Sequence, residues 1–338
     1  MTRGVVTFGE KLLHLTSPDH ERFLQSARFE AVFGGAEANV AVALAGWNVP
    51  AAYVTVLPEN HPFTDAGIAE LRRFGVDTSC VGYGPGRFGL YYMETGVGLR
   101  PSRIVYDREH SAMARAKPGD IDWPAVFEDS DWFHTSGITP AISRSAAELT
   151  TESMRMAREG GLRVSFDLNY RKSLWNWGRS APEVLRELTG LADVLIGNYE
   201  HLKMLLGMDG DADVDIAEED GRCERLARAA MDAFPNLKTV ALTVRSGSQW
   251  SACLAREDSF VESRKYDISQ VVDRIGSGDA FAAGLIFGIR ALSSSREALE
   301  FGAAAGCLKH FVQGDFLRAR VEEVHEIVAG GDAGGVER

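Results

Sequence analysis

Short apolar strands alternate with helices along most of this sequence, and this alternation limits the fold more than any other feature. A connection between parallel strands needs a dozen or more residues, which a helix supplies, so the pattern predicts an α/β fold with a mostly parallel sheet and helices on both faces. In open sheets of this kind, ligands bind beyond the carboxyl ends of the strands. The predicted strands are Val5–Phe8, Ala51–Val56, Trp132–Thr135, Arg163–Asp167, Val194–Gly197 and Thr239–Val244. The predicted helices are Ala36–Ala45, Phe63–Phe74, Ala146–Glu159, Pro182–Leu188 and Arg222–Ala233.

Two regions, residues 11–34 and 86–109, interrupt this alternation because they contain strand-like runs with no helix between them. Gly96-Val97-Gly98 in the second region is typical of a hairpin turn. The two regions together predict a small antiparallel sheet that stands off the main one, or alternatively a decorated edge of the main sheet. The strand-like runs are Leu12–Leu15, Phe29–Phe33, Gly89–Glu94 and Arg103–Tyr106.

The stretch Val271–Ile289 reads as an extended run, a glycine-rich turn and an apolar helix. Gly276 and Gly278 allow the backbone to turn where a Cβ would clash. The turn leads into a helix N-terminus, where free N–H groups and about half a positive charge attract anions. Asp279 lies in the first helical turn, so its carboxylate could take a proton from a hydroxyl while the amides hold the group under attack. The alternative interpretation is a helix-capping aspartate.

Composition and charge narrow the function classes. The net charge of −12 at pH 7 argues against binding to nucleic acid or to anionic membranes. It leaves anionic substrates open, because these need only a local cluster of arginines and helix ends. The four cysteines are scattered without a CxxC pair, which favours small buried side chains. No apolar run has membrane-spanning length and no signal-peptide core is visible, so we expect a cytoplasmic location.

Several other ligand-binding patterns can be searched for directly. The sequence has no G-x-x-x-x-G-K-[ST] motif and no G-x-G-x-x-G after the first strand, which disfavours a P-loop kinase and a nicotinamide-dependent oxidoreductase. Met208–Gly221 carries aspartates at alternating positions, like the start of a calcium loop. It lacks the glycine and the glutamate that complete such a loop, so a solvated insertion is favoured over a calcium site.

Two motifs resemble the signatures of the ribokinase-like (PfkB) carbohydrate kinases. Asp273-Arg-Ile-Gly-Ser-Gly-Asp279 resembles the C-terminal signature D-T-x-G-A-G-D, with Arg274 in place of threonine and Ser277 in place of alanine. Phe33–Leu44 resembles the N-terminal motif, a Gly-Gly turn that runs into a helix carrying an asparagine. Their presence in the family's order, one near each end of the chain, is far more specific than either motif alone.

The resemblance implies a ribokinase-like fold formed by residues 1–338 as a single domain. Residues 11–34 and 86–109 would then form a β lid over the sugar, through which these enzymes often form homo-oligomers. ATP would be the phosphoryl donor and Mg²⁺ would bridge its phosphates, and a monovalent cation is an optional cofactor in the family. Asp279 would be the base, while the amides of Gly276, Ser277 and Gly278 would stabilise the charge that develops on the phosphoryl oxygens.

Several segments are similar to the branch of this family that phosphorylates 2-keto-3-deoxygluconate, among them Gly89–Glu94, Ser136–Pro140 and Phe166–Arg171. A carboxylate in a semi-closed site is well recognised by a guanidinium, which can form a bidentate pair. Without the resemblance, the arginines read as surface charges and the tyrosines as half-buried strand residues. The resemblance implies that the sugar is bound by the backbone of Gly34 and Gly35 and by the side chains of Tyr91, Tyr106, Arg108, Ile138 and Arg171.

The family also has a strand that ends in N-x-x-E and helps to organise magnesium and phosphate. Asn198 matches the first position here, whereas the fourth position is His201 and Glu200 stands one place earlier. The resemblance implies nucleotide contacts by Asn198 and Gly278, and by Thr243, Arg245 and Gly247 at the end of a later strand. It implies a magnesium role for Glu200 only with that change of spacing.

The sequence therefore predicts an ATP-dependent sugar-acid kinase that phosphorylates the terminal hydroxyl of 2-keto-3-deoxygluconate. One alternative is a fructokinase-like or other ribokinase-family enzyme that acts on a neutral sugar. A second alternative, from another class, is a non-catalytic sugar-binding regulator, which the intact run Gly276–Asp279 disfavours.

Overall fold

The computed structural model of this chain describes residues 4–25, 27–208 and 221–331. The alternating aspartates of the calcium-like stretch, at residues 209–220, lie outside the described residues. The strands are β1 (Gly4–Phe8), β2 (Leu12–Thr16), β3 (Glu30–Gly34), β4 (Ala51–Val54), β5 (Val56–Pro58), β6 (Gly82–Gly84), β7 (Gly89–Glu94), β8 (Arg103–Asp107), β9 (Ser130–Ser136), β10 (Arg163–Asp167), β11 (Val194–Asn198), β12 (Thr239–Ser246), β13 (Gln249–Arg256), β14 (Ser259–Glu262) and β15 (Tyr266–Asp267). The helices are α1 (Ala36–Gly46), α2 (Pro62–Arg73), α3 (Ala112–Arg115), α4 (Trp123–Phe127), α5 (Arg144–Glu159), α6 (Ala181–Thr189), α7 (Tyr199–Leu206), α8 (Arg222–Ala233), α9 (Ser277–Ala291), α10 (Ser295–Lys309) and α11 (Val321–Ala329).

A large nine-stranded sheet forms the centre of the fold, in the order β14-β13-β12-β11-β10-β9-β1-β4, with β15 paired to β13. The six strands β4, β1, β9, β10, β11 and β12 run parallel to one another, which confirms the predicted mostly parallel sheet. Strand β13 returns antiparallel to β12 through a short hairpin, and β14 and β15 pair with β13 in the same antiparallel sense. The predicted strand Ala51–Val56 is divided, because β4 ends at Val54 and β5 pairs with β6 in a separate two-stranded sheet.

Helices cover both faces of the large sheet, and an apolar core lies on each face. Val5 and Val6, neighbours on β1, are both fully buried but belong to different cores, because successive side chains of a strand point to opposite faces. One core contains the apolar residues of α1, α9 and α10, and the other contains those of α5, α6 and α8. Within the described residues, no helix is both long enough and apolar enough to cross a membrane.

Helices α9 and α10 pack unusually close together because small residues face each other. A Cβ on Gly284 would lie 2.8 Å from the Cα of Gly302, and one on Gly288 would lie 2.5 Å from the Cα of Ala298. Any larger side chain at these positions would push the helices apart. This contact fixes the direction of α9 and therefore the position of the glycine turn at its N-terminus.

Both interrupting regions contribute to a second sheet of four strands, in the order β3-β2-β7-β8, which we call the small sheet. Its outer pairs are antiparallel as expected, but the central pair, β2 with β7, is parallel. The reason is that β2 and β7 enter the small sheet from the same end, where Leu12 pairs with Gly89. At the predicted hairpin, Val97 and Arg100 form an isolated bridge between β7 and β8.

Candidate active site

The glycine turn lies at the amino end of α9, where Gly276 caps the helix in a left-handed conformation with φ 81°. A Cβ on Gly276 would lie 2.2 Å from the backbone oxygen of Asp315, so only glycine fits this position. The Asp273 carboxylate accepts hydrogen bonds from the backbone N–H of Ile275 at 2.9 Å and of Gly314 at 3.0 Å, which tie the turn in place. The space beside Gly278 is open, so a group placed there can approach the helix N-terminus closely.

Asp279 lies in the first turn of α9, partly buried, and its Oδ2 accepts a 2.6 Å hydrogen bond from the side-chain Nδ2 of Asn39 on α1. The capping alternative is wrong, because Gly276 occupies the cap position. Burial, opposed chiefly by the bond from Asn39, raises the pKa of the Asp279 carboxyl to about 7, and the nearby charges of Asp167 and Glu37 act in the same direction as burial. A carboxyl with this pKa accepts a proton effectively near neutral pH.

A cavity of about 320 Å³ opens in front of the glycine turn, at the carboxyl ends of β10, β11 and β12. This is the edge at which the parallel sheet was expected to bind its ligand. The structure brings eight residues from four predicted segments together in its lining, namely Arg171, Asn198, Thr243, Arg245, Gly276, Ser277, Gly278 and Asp279.

The cavity carries a strong positive charge on one side. Arg171, Arg245 and Arg274 all line it. Partial burial and the nearby charge of Arg274 lower the pKa of Arg245, so these two guanidinium groups repel each other until an anion joins them. Arg245 donates a 3.0 Å hydrogen bond to Nε2 of His310, whose pKa burial lowers to about 4, so the imidazole is neutral and can accept it. The arrangement suits a polyphosphate chain.

The segment Asn198–His201 resembles the N-x-x-E motif of the family, but its glutamate does not line the cavity. Asn198 caps α7, and its side-chain oxygen accepts a 2.7 Å bond from the N–H of His201. His201 lines the cavity, whereas Glu200 is exposed and lies outside the lining. Gly247 also lies outside it, in the exposed turn between β12 and β13. The roles predicted for Glu200 and Gly247 stay predictions that this placement does not favour.

A magnesium ion needs only one or two protein carboxylates when phosphates supply its other ligands. Asp167, at the end of β10, lines the cavity, and burial raises the pKa of its carboxyl to about 6. Among the described residues, no group of three or more acidic, histidine or cysteine side chains is arranged to hold a metal by itself. The donors present therefore fit a magnesium ion that arrives with a nucleotide and is held mainly by its phosphates.

The remaining predicted residues lie on the side of the site formed by the small sheet. Gly34 and Gly35 join β3 to α1 in a tight passage. A Cβ on Gly34 would lie 1.9 Å from Oδ2 of Asp315, and one on Gly35, where φ is 137°, would lie 2.4 Å from the backbone oxygen of Glu10. Both glycines are therefore required for the small sheet to pack against the rest of the molecule. Ile138, another of the predicted sugar contacts, lies just after β9 and is half-buried.

Tyr91 is buried more completely than the sequence indicates. Its hydroxyl donates a 2.9 Å hydrogen bond to Oδ2 of Asp315, and its ring stacks on His14 with 4.2 Å between centroids. Nδ1 of His14 forms a 2.9 Å hydrogen bond with Oδ1 of the same carboxylate. Tyr106 lies opposite Tyr91 on β8 and is half-buried. Asp315 thus joins the small sheet to the glycine turn, and contact of either tyrosine with a sugar stays a prediction.

Arg108 directly follows β8 and is only 3% exposed, so its interpretation as a surface charge is wrong. Its Nε donates a 2.5 Å hydrogen bond to Oε2 of Glu10, which is also buried. Its Nη1 is buried without a hydrogen-bond partner among the described residues. Such an orphan donor costs about 1–3 kcal/mol when it stays unpaired, which indicates that a ligand supplies the missing acceptor.

Sequence reasoning missed several residues that build the site, including Asn39, Asp167, Asp315 and Glu37. Asn39 stands within the quoted Gly-Gly motif, and the available signal was that it and Glu37 are the polar residues of a helix that is otherwise apolar. Asp167 ends a buried strand, which is where functional side chains are expected. Glu37 is buried, accepts hydrogen bonds from Ser136 and Thr139, and thereby fixes the end of β9 against α1. Its pKa, raised to about 7 by burial, has no sequence signature.

Comparison with known proteins agrees with this geometry. The sequence model of the pfkB family carbohydrate kinases matches residues 2–315. A 2-dehydro-3-deoxygalactonokinase of Haloferax volcanii is 34% identical over 334 residues, which cover 99% of this chain and 99% of that protein. The crystal structure of a 2-dehydro-3-deoxygluconokinase from Thermotoga maritima, 39% identical, superposes with a TM-score of 0.89 and covers 97% of this chain and 100% of its own. A putative ribokinase II from E. coli in complex with ATP and Mg²⁺ shares the fold at 20% identity, with a TM-score of 0.82 over 97% of this chain and 99% of its own.

Proposed function

Because the chain belongs to the pfkB family of carbohydrate kinases and is an ATP-dependent sugar kinase, we propose that its acceptor is the terminal hydroxyl of 2-keto-3-deoxygluconate. The observation that carries the sugar-acid substrate is Arg108, a buried guanidinium beside the small sheet whose Nη1 lacks an acceptor. A substrate carboxylate would supply that acceptor. The similar proteins support the same class of acceptor, since the Thermotoga and Haloferax enzymes are named for gluco and galacto forms of such an acid.

In this proposal Asp279 takes the proton of the sugar hydroxyl as that oxygen attacks the γ-phosphorus of ATP. Its pKa of about 7 leaves the carboxylate available at neutral pH and still basic enough to accept the proton. The bond from Asn39 aims the carboxylate. The backbone N–H groups of the glycine turn, Gly276–Gly278, stabilise the negative charge on the transferring phosphoryl oxygens.

The triphosphate lies along the positive side of the 320 Å³ cavity, against Arg245 and Arg274, with Thr243 and Asn198 beside it. Asp167 is the carboxylate placed to approach a magnesium ion. Magnesium, when bound with the nucleotide, would neutralise charge on the β- and γ-phosphates.

Turnover measured in potassium and in tetramethylammonium salts at equal ionic strength decides whether a monovalent cation takes part.

The small sheet acts as a lid over the sugar in this proposal. Two of its strands, β3 and β8, end at or directly before residues that would contact the sugar, namely Gly34, Gly35 and Arg108. The small sheet carries exposed apolar side chains on both of its faces, which supports a homodimer formed through this sheet. Light scattering after size-exclusion chromatography should show a dimer, and Val105→Lys, on the face opposite to Tyr106, should convert it to a monomer. The exposed apolar side chains of the small sheet are Phe29, Val32, Ile104 and Val105, each between 36% and 41% exposed.

The enzyme is proposed to work in the cytoplasm, where ATP is available. The cysteines in the described residues, Cys80, Cys223, Cys253 and Cys307, are all free thiols, which suits a reducing compartment.

A kinase screen across sugar acids and neutral sugars tests the function. We expect the keto-deoxy acids to be phosphorylated with a kcat/KM about ten- to a hundredfold above that of fructose or ribose, because a charged hydrogen bond contributes about 1.5–3 kcal/mol. Comparison of the gluco and galacto epimers then assigns the preferred configuration. Equal efficiency on fructose or ribose would show a neutral-sugar kinase instead, and no transfer to any acceptor would show a non-catalytic regulator.

A further inference from the structure

Glu10 occupies the point at which the small sheet joins the rest of the molecule. It lies between β1 of the large sheet and β2 of the small sheet, next to the end of β3 and the start of β7. A Cβ on Gly35 would lie 2.4 Å from the Glu10 backbone oxygen, and one on Gly89 would lie 2.5 Å from its Oε1. A side chain at either glycine would therefore clash with Glu10.

Both oxygens of the Glu10 carboxylate accept hydrogen bonds within this crowded space. Its Oε2 accepts the 2.5 Å hydrogen bond from Nε of Arg108, and its Oε1 accepts a hydrogen bond from the hydroxyl of Ser111. Glu10, Arg108 and Ser111 are all buried, with exposures of 2%, 3% and 1%. Glu10 is thus held by Ser111 on one oxygen and holds Arg108 with the other.

Among the residues that the structure describes, Arg108 is held only by its Nε, and this leaves the terminal nitrogens of its guanidinium available. A guanidinium is a planar fork of five N–H donors, and its terminal edge matches the two oxygens of a carboxylate. One of the two terminal nitrogens, Nη1, is the buried orphan donor described above. Since a guanidinium is rigid, fixing Nε also fixes the direction of that terminal edge.

We propose that Glu10 is a positioning residue that determines the preference for a sugar acid, by orienting Arg108 so that its terminal edge pairs with the substrate carboxylate. This inference deepens the proposed function and rests on it. The Glu10–Arg108 pair has no net charge, so it selects an acid through the direction of its donors rather than through an excess of positive charge. Glu10 does not itself touch the reacting atoms, which lie on the side of Asp279 and the glycine turn.

The test compares Glu10→Gln with wild type on 2-keto-3-deoxygluconate, on fructose and on ATP. The variant keeps the size of the side chain but weakens its hold on the guanidinium. We expect KM for the sugar acid to rise about tenfold, the usual range for a weakened charged hydrogen bond. The value of kcat and KM for ATP should stay within about threefold, so the preference for the acid over fructose should fall about tenfold. Glu94→Gln is the matched control, because Glu94 is a buried glutamate at the far end of β7 that accepts a bond from the backbone N–H of Phe23.

A double-mutant cycle with Arg108→Met separates positioning from a general structural role. If Glu10 acts through Arg108, adding Glu10→Gln to the Arg108→Met variant should not raise KM for the acid any further. Losses that multiply in the double variant would overturn the inference. Glu10→Asp serves as a second variant if Glu10→Gln does not fold, since it keeps the charge but withdraws it from Arg108, and the same rise in KM is expected.

The outcomes distinguish this inference from the proposed function. If wild type does not favour the acid over fructose, the proposed function itself is wrong. If wild type favours the acid and Glu10→Gln changes the preference by less than about twofold, well below the expected range, only the role of Glu10 is wrong. An equal fall in efficiency on both substrates, with a lower melting temperature, would likewise show a structural role and overturn the inference.

Discussion

Asn39 and Asp279 are 240 positions apart in the sequence, yet the Nδ2 of the first donates a 2.6 Å hydrogen bond to Oδ2 of the second. This bond joins α1, which follows the small sheet, to α9, which follows the glycine turn. It also stabilises the ionised form of the carboxyl that would take the sugar proton. One hydrogen bond therefore connects the proposed sugar side of the site with the proposed phosphate side and lowers the pKa of the proposed base between them.

Replacing the base should remove turnover without removing the fold. Asp279→Asn keeps the shape of the side chain and its place beside Asn39 but cannot accept a proton. We expect kcat to fall by roughly two to four orders of magnitude, the usual contribution of general-base catalysis, while ATP binding measured by calorimetry is retained. A variant that kept more than about a tenth of wild-type turnover would contradict the assignment.

The pH profile should report the ionisation of Asp279. The pKa of this carboxyl is raised to about 7, and only its ionised form acts as a base, so kcat/KM should rise with pH through about 7 and then level off. Asn39→Ala removes a bond to the carboxylate, so it should move the midpoint to higher pH. Asn176→Ala, on an exposed asparagine whose side chain bonds to Ser173, is the control and should leave the midpoint unchanged. A wild-type midpoint near the ordinary aspartate pKa of about 4 would show that burial does not control this group.

The two ends of the glycine turn should respond differently to an added methyl group. Gly276→Ala forces a side chain into the left-handed region and toward the Asp315 oxygen 2.2 Å away, so we expect a loss of about 1–3 kcal/mol or more in the free energy of unfolding. Gly278→Ala meets only open space and should unfold at nearly the wild-type temperature. Chemical denaturation of both variants measures the contrast, and equal stabilities would show that the turn is not held against Asp315.

Arg171 lines the 320 Å³ cavity, whereas Arg108 lies at the small sheet, so only one of the two predicted carboxylate partners is close to the position proposed for the phosphates. If Arg171 pairs with the acid as predicted, Arg171→Met should lower kcat/KM for 2-keto-3-deoxygluconate by roughly ten- to a hundredfold and leave weak activity on fructose nearly unchanged. A parallel loss on both substrates, together with a raised KM for ATP, would assign Arg171 to the nucleotide.

The lid proposal predicts a selective effect at Tyr106. Tyr106→Phe removes one hydroxyl from the inner end of β8, so KM for the sugar acid should rise a few-fold to about tenfold while KM for ATP stays constant. Tyr83→Phe, on a tyrosine that is 57% exposed, provides the control for loss of a hydroxyl elsewhere. A substrate complex in which Tyr106 lies far from the sugar would reject the contact.

Short sequence patterns predicted the structural features that depend mainly on residues close together in the chain. The order of strands and helices, the parallel sheet and the glycine turn all follow from short runs of residues, and the structure has them at nearly the expected positions. The parallel pairing of β2 with β7 was not predictable, because it depends on two distant segments entering the small sheet from one end. The partners of Arg108 and Tyr91 were hidden for the same reason: Glu10 and Asp315 are 98 and 224 positions away from them. Periodicity shows that such a residue is buried or exposed, but not which distant group it meets.

The bond between His14 and Asp315 spans 301 positions, and this separation has a consequence for biosynthesis. A chain growing from its amino end can complete β1 to α8 while the base, the glycine turn and Asp315 have not yet been made. During that interval the apolar residues of α1 that later pack against α9 have no partner, and such a nascent intermediate exposes a surface that chaperones bind. Because the proposed base and the glycine turn stand at the start of α9, the proposed transfer reaction requires a chain that has been made at least as far as α9.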